Sequence, residues 1–193
     1  MAYEHITSMM LSVALMFVAA PTQSMANEGE AKGTSEAPPS PPKAIRATNF
    51  YVHTWIAMPG FTAARLDGEN EQETTQPTKG RTMVLVFLAS WCEPCQQMMP
   101  EMQRLQRHYQ KLNTDFIYIF SHDTRDDALG FIKEFNLGKA YLANQSVLKT
   151  YHAPELPSIY VGDRHGWLVH RYLKVTAADL GKLDAMLQYL AAY

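Results

Sequence analysis

The chain has 193 residues, 47% of them apolar, with 17 basic against 19 acidic side chains and a formal charge of −2. That length accommodates one compact domain plus a leader, and the apolar share argues against general disorder. A charge this balanced, with no clustered excess of Lys and Arg, argues against a nucleic-acid partner.

Residues 9–20 (MMLSVALMFVAA) form an apolar run that Pro21 ends, and Ser24-Met25-Ala26 supplies small residues suited to a cleavage site. Twelve helical residues span about 18 Å, short of the roughly 30 Å hydrocarbon core, so residues 1–26 are expected to be an export signal. An uncleaved anchor is the alternative, because the segment before the run carries Glu4 and no Lys or Arg. After cleavage, no stable membrane insertion is expected. Residues 27–47 are rich in Glu, Ser, Ala and Pro and read as a disordered linker. Residues 48–193 read as the folded domain.

Within that domain, residues 50–55 and 61–66 are expected as short strands, and 72–80 as a polar loop. Residues 83–89 (MVLVFLA) are continuously apolar, the pattern of a strand buried on both faces. Pro94 stands where a first helical turn would begin, and Met98, Met99, Met102, Leu105 and Tyr109 follow at helical spacing. Residues 116–120 (FIYIF) read as a second buried strand. Thr124 with Asp127 resembles a capping box opening a helix through Phe135. Residues 158–161 and 167–172 are expected to form a hairpin around a Gly-Asp-Arg-His-Gly turn. Thr176 with Asp179 opens a last helix, with Leu180, Leu183, Leu187 and Leu190 on one face. This order predicts an α/β fold, a central mixed sheet flanked by helices. The right-handed crossover rule sets strand 116–120 beside strand 83–89.

The chemistry concentrates at Trp91-Cys92-Glu93-Pro94-Cys95, between a buried strand and a helix. Cys92 and Cys95 are the only cysteines and stand three apart, so a bridge between them would close too small a loop to staple a fold. A thiolate at a helix N-terminus gains from unsatisfied N–H groups and the positive end of the macrodipole. Cys92 is therefore expected to ionise below the roughly 8.5 of a free thiol and to attack. Cys95, sharing its helix face, is expected to be buried and to resolve the mixed disulfide. Neither a metal nor a cofactor is expected, since zinc would need four ligands and His53, His108, His122, His152, His165 and His170 are scattered. A Cu(I) carrier using Cys92, Cys95 and one of Met98, Met99 or Met102 is the alternative. The bland reading of these methionines is core packing. Asn144-Gln145-Ser146 also fits a glycosylation acceptor.

Residues 85–95 (LVFLASWCEPC), with Pro100 and then Leu156-Pro157, resemble the thioredoxin-fold reductases of the TlpA/ResA branch, many of which serve cytochrome c maturation. The resemblance covers about residues 61–193. It implies a thioredoxin-like three-layer fold and a cis bond at Pro157 that exposes the backbone of Leu156 to an extended partner peptide. It also implies that Trp91 shields the site and contacts partners. Two acids that shuttle the resolving thiol's proton in such proteins are replaced here by Val86 and Met98. Glu93 or Glu155 is then the candidate proton acceptor, water being the alternative. The negative Glu93 opposes a thiolate at Cys92 and so favours a reducing couple. The expected activity is reduction of disulfides in exported, periplasmic or otherwise extracytoplasmic proteins, with an unidentified membrane electron donor recycling the dithiol. A disulfide oxidase or isomerase is the third reading.

Overall fold

A computed structural model describes residues 56–68, 71–152 and 155–192. The expected leader, the linker and the strand expected over 50–55 lie outside them. The elements run β1 (Phe61–Arg65), β2 (Gln72–Thr75), β3 (Thr82–Leu88), α1 (Glu93–Tyr109), β4 (Thr114–Phe120), α2 (Arg125–Phe135), β5 (Ala140–Leu142), α3 (Gln145–Tyr151), β6 (Ser158–Gly162), β7 (Leu168–Leu173) and α4 (Ala177–Ala192). They build one seven-stranded sheet in the order β2-β1-β5-β4-β3-β6-β7.

Every residue of β3 is buried, which explains its unbroken apolar sequence. Alternate side chains leave a strand on opposite faces. Val84, Val86 and Leu88 join a core with α1, α2 and α4, whereas Met83, Leu85 and Phe87 pack with Tyr141, Val147, Tyr151 and Tyr160 on the α3 side. β3 pairs in parallel with β4, Thr82 facing Thr114 through Leu88 facing Phe120, as the crossover rule required. Its other neighbour, β6, is antiparallel, with Phe87 facing Ser158 and Met83 facing Gly162. The β6–β7 turn carries Gly166 at φ +87°, and Asp163 Oδ1 accepts the N–H groups of His165 and Trp167. Gly162 is required by a close approach instead, since an added Cβ would fall 2.2 Å from Met58 Sδ.

Both expected caps form. Thr124 Oγ1 accepts the Asp127 N–H at 3.2 Å at the start of α2, and Asp179 Oδ2 accepts the Thr176 N–H at 3.1 Å before α4. Three elements depart from expectation. Part of the stretch read as a polar loop is β2, antiparallel to β1, and neither β5 nor α3 was foreseen. β2 (QETT) is an edge strand with a single buried residue, so it carries no apolar alternation to detect. β5 has three residues and α3 seven, too short for either period to register. Asn144, read as a glycosylation acceptor, caps α3: its Oδ1 accepts the Val147 N–H at 3.0 Å and its Nδ2 donates to Thr62 O at 2.9 Å. Among the described residues no helix is long and apolar enough to cross a membrane.

Candidate active site

β3 ends at Leu88, and four residues later Cys92 is the N-cap of α1. Its backbone is extended (φ −85°, ψ 101°), as an N-cap must be, and Pro94 fills the first turn, where a missing N–H costs no helical bond. Cys95 lies one turn in, its Cα 5.2 Å from that of Cys92, and the two sulfurs are joined in a disulfide. The Cys95 N–H points at Cys92 Sγ from 3.3 Å. An otherwise orphaned helix donor is thus already aimed at the sulfur expected to carry negative charge. Cys92 retains 5% exposure and Cys95 none. That asymmetry makes Cys92 the sulfur a partner can reach.

The surroundings follow from the register. Because β6 runs antiparallel to β3 with Ser158 opposite Phe87, the residues before Ser158 sit at the same sheet end as the cysteines. Leu156-Pro157 is there, and its peptide bond is cis. Pro157 is buried, Leu156 is half-buried against the core that contains both cysteines, and Pro157 O accepts the Val175 N–H at 2.9 Å. Trp91 is 63% exposed and donates its indole N–H to His122 O at 3.0 Å. Glu93 is exposed and accepts a hydrogen bond from Gln97 Nε2. Glu155 is half-exposed and ion-paired with Lys174 at 3.0 Å. Val86 and Met98, at the positions where the resemblance implied acids, are buried in the core beside α1. Met99 and Met102 share that core with Cys92 and Cys95, as the packing reading of the methionine stripe expects. Among the described residues no group of three His, Cys, Asp or Glu could hold a metal ion.

The profile of the AhpC/TSA family matches residues 56–171, more than half the chain. The chain belongs to that family. Within it, the chain is 25% identical over 117 residues to thiol-disulfide oxidoreductase ResA of Bacillus cereus, covering 60% of this chain and 66% of the relative. It is 30% identical over 111 residues to the thioredoxin-like protein YneN of Bacillus subtilis, covering 56% and 64%. It therefore spans slightly less than two thirds of these curated relatives. Among solved structures, it resembles a DsbE-type thiol:disulfide interchange protein from Chlorobium tepidum (TM-score 0.63, 20% identity, 70% of this chain and 96% of the other). StoA from Bacillus subtilis is a second neighbour (TM-score 0.52, 21% identity, 65% and 96%). The fold of this AhpC/TSA member is thus thioredoxin-like, as residues 85–95 implied.

Sequence reasoning missed the residues that hold the site's entry loop. Asp123, in the loop after β4, accepts the Ser90 N–H at 2.6 Å and the Ser90 hydroxyl at 2.8 Å. Gln96 Nε2 donates to Ser90 O at 2.7 Å. The Asp123 contacts join residues 33 apart in sequence, and no local pattern announces such a pairing.

Proposed function

We propose that this AhpC/TSA-family protein is a thiol–disulfide oxidoreductase working as a reductase of protein disulfides through a Cys92/Cys95 cycle. The observation carrying this reading is Cys92 as an N-cap whose sulfur receives the Cys95 N–H, with Cys95 buried behind it. In the reduced protein the Cys92 thiolate attacks one sulfur of a partner disulfide. A Cys92–partner bond forms, and the other partner sulfur leaves as thiolate and takes up a proton. Cys95 then loses its proton and attacks Cys92 Sγ. The internal disulfide closes and the second partner sulfur is released as thiol. The partner gains two electrons and the protein is left oxidised, so an electron donor must restore the dithiol. Leu156-Pro157 and Trp91 line the end of the sheet where the partner chain would lie, and Leu156 offers backbone for strand addition. Glu155 is the proposed proton acceptor for Cys95, drawn from its Lys174 pair. If Glu155→Gln leaves the pH–rate profile of disulfide reduction unchanged, Glu155 is not that base.

The proposed location is extracytoplasmic and the proposed partners are disulfide-bearing exported proteins, apocytochrome c among them. The apolar run at residues 9–20 supports the location. A membrane donor is the proposed source of electrons. Trapping with Cys95→Ala tests the cycle, because that variant is expected to stall as a mixed disulfide with its partner, whereas Cys92→Ala forms none. A reduction potential above about −160 mV would reject the reductase direction in favour of an oxidase or isomerase.

A further inference from the structure

We infer that Asp123 is a positioning residue for the Cys92 nucleophile, setting its reactivity through Ser90; this rests on the redox reading above. Ala89, Ser90 and Trp91 connect β3 to the residue that bears the reactive sulfur, and they belong to neither strand nor helix. Their orientation is set by bonds from elsewhere. Asp123 supplies the main ones, Oδ2 taking the Ser90 N–H at 2.6 Å and Oδ1 the Ser90 hydroxyl at 2.8 Å. Oδ1 also accepts the Thr124 N–H at 3.1 Å, which ties the carboxylate to the N-cap residue of α2. The same loop anchors Trp91 through His122 O, and His122 turns the chain there with φ +55°. The β4–α2 loop therefore grips two consecutive residues just ahead of Cys92. Gln96 holds Ser90 O from the other side, so both backbone polar groups of Ser90 are bound by side chains.

Cys92 gains its helix-end stabilisation only while its backbone keeps the extended N-cap conformation that brings Sγ to the Cys95 N–H. Releasing Ser90 frees the residue before Trp91 and lets Cys92 leave that geometry. The thiolate then loses a donor and part of the helix field. Two effects of Asp123 on Cys92 oppose each other. As a negative charge it disfavours the thiolate, and as a clamp it favours it. The clamp is inferred to dominate, so loss of Asp123 makes Cys92 less acidic, not more.

The sign decides the matter. Thiol alkylation against pH on the full chain, in a Cys95→Ala background, reads Cys92 alone. Asp123→Ala is expected to slow alkylation at neutral pH about tenfold, the consequence of a rise of one pH unit in thiol ionisation. Asp123→Asn keeps an acceptor for the Ser90 N–H and a donor for its hydroxyl while removing the charge, and is expected to alkylate at least as fast as the parent. If Asp123→Ala also alkylates as fast as the parent or faster, the clamp is overturned and Asp123 acts, at most, as a charge. Should Asp123→Ala not fold, Asp123→Ser, too short to hold both Ser90 groups, is expected to slow alkylation and is judged by the same rule. Asp184→Asn, which weakens a remote contact between α1 and α4, controls for general loosening and should leave the Cys92 titration in place. A parent whose Cys92 titrates like a free thiol would defeat the redox reading; a reactive parent with an unchanged Asp123→Ala would defeat only the clamp.

Discussion

Tyr118 and Gln106 form a buried pair whose energetics can be worked out in advance. Tyr118 in β4 is fully buried, and its hydroxyl donates to Gln106 Oε1 on α1. Burial pushes the phenol's ionisation well above its usual value, so it acts as a neutral donor at any ordinary pH. Gln106→Leu leaves that hydroxyl without its acceptor, with an expected cost of about 1–3 kcal/mol for an unsatisfied buried group. Tyr118→Phe removes the donor instead. It leaves an amide at the edge of the core, where Gln106 is 9% exposed and closer to water, so about 1 kcal/mol is expected. The double variant leaves neither polar atom behind, and its loss should be smaller than the sum of the single losses by about 1–2 kcal/mol. In a chain of this size each kcal/mol moves Tm by about 2–4 °C. Gln106 lies eleven residues from Cys95 along α1, about 16 Å, so the thiol chemistry should not change. Urea denaturation of the four proteins tests this directly. Strictly additive losses would mean that the hydroxyl and the amide act independently and that the reasoning is wrong.

Three further outcomes are expected. Asp184 accepts from Tyr109 at 2.5 Å and from Arg104 at 2.7 Å across the α1–α4 contact. Burial raises the ionisation of its carboxyl, but the bonds from Tyr109 and Arg104 outweigh this and leave it below the usual 3.8. Its contribution is therefore present above that value and lost as pH falls through the lower folded value. Asp184→Asn should cost about 0.5–1.5 kcal/mol at pH 7, and its deficit against the parent should close in acid. His170 behaves in the opposite sense. Burial, then the Lys182 charge, hold its imidazole below 6.5, so the fold favours the neutral ring and loses stability as pH drops below 6.5 towards the folded value. In His170→Gln that part of the pH dependence should vanish from Tm measured between pH 8 and 5. Finally, Trp91→Ala removes a side chain 63% exposed, so stability should change by no more than about 1 kcal/mol. Reduction of a protein disulfide such as insulin should slow more than reduction of a small-molecule disulfide; equal slowing would argue against a partner-contact role.

The sequence alone determined what local physics can encode. A run of seven apolar residues can satisfy itself only between two covered faces, so β3 was legible, and Pro94 with the methionine stripe announced α1 behind it. The cysteine pair was legible for the same reason, since strand, CxxC and helix are contiguous. Thr124–Asp127 and Thr176–Asp179 form caps within four residues and were read correctly. Tertiary structure decided the rest. β2 has one buried residue and exists because β1 offers it backbone partners, which no pattern in QETT reveals. That Asn144 caps α3 and reaches Thr62 O was not legible either, because neither partner is set by the local sequence pattern. The antiparallel pairing of β6 with β3 alone brings Pro157 to the cysteine end of the sheet, some sixty residues along the chain. The grip of Asp123 on Ser90 likewise arises only when two distant loops are folded together, because hydrogen bonds depend on distance in space and sequence spacing is blind to it.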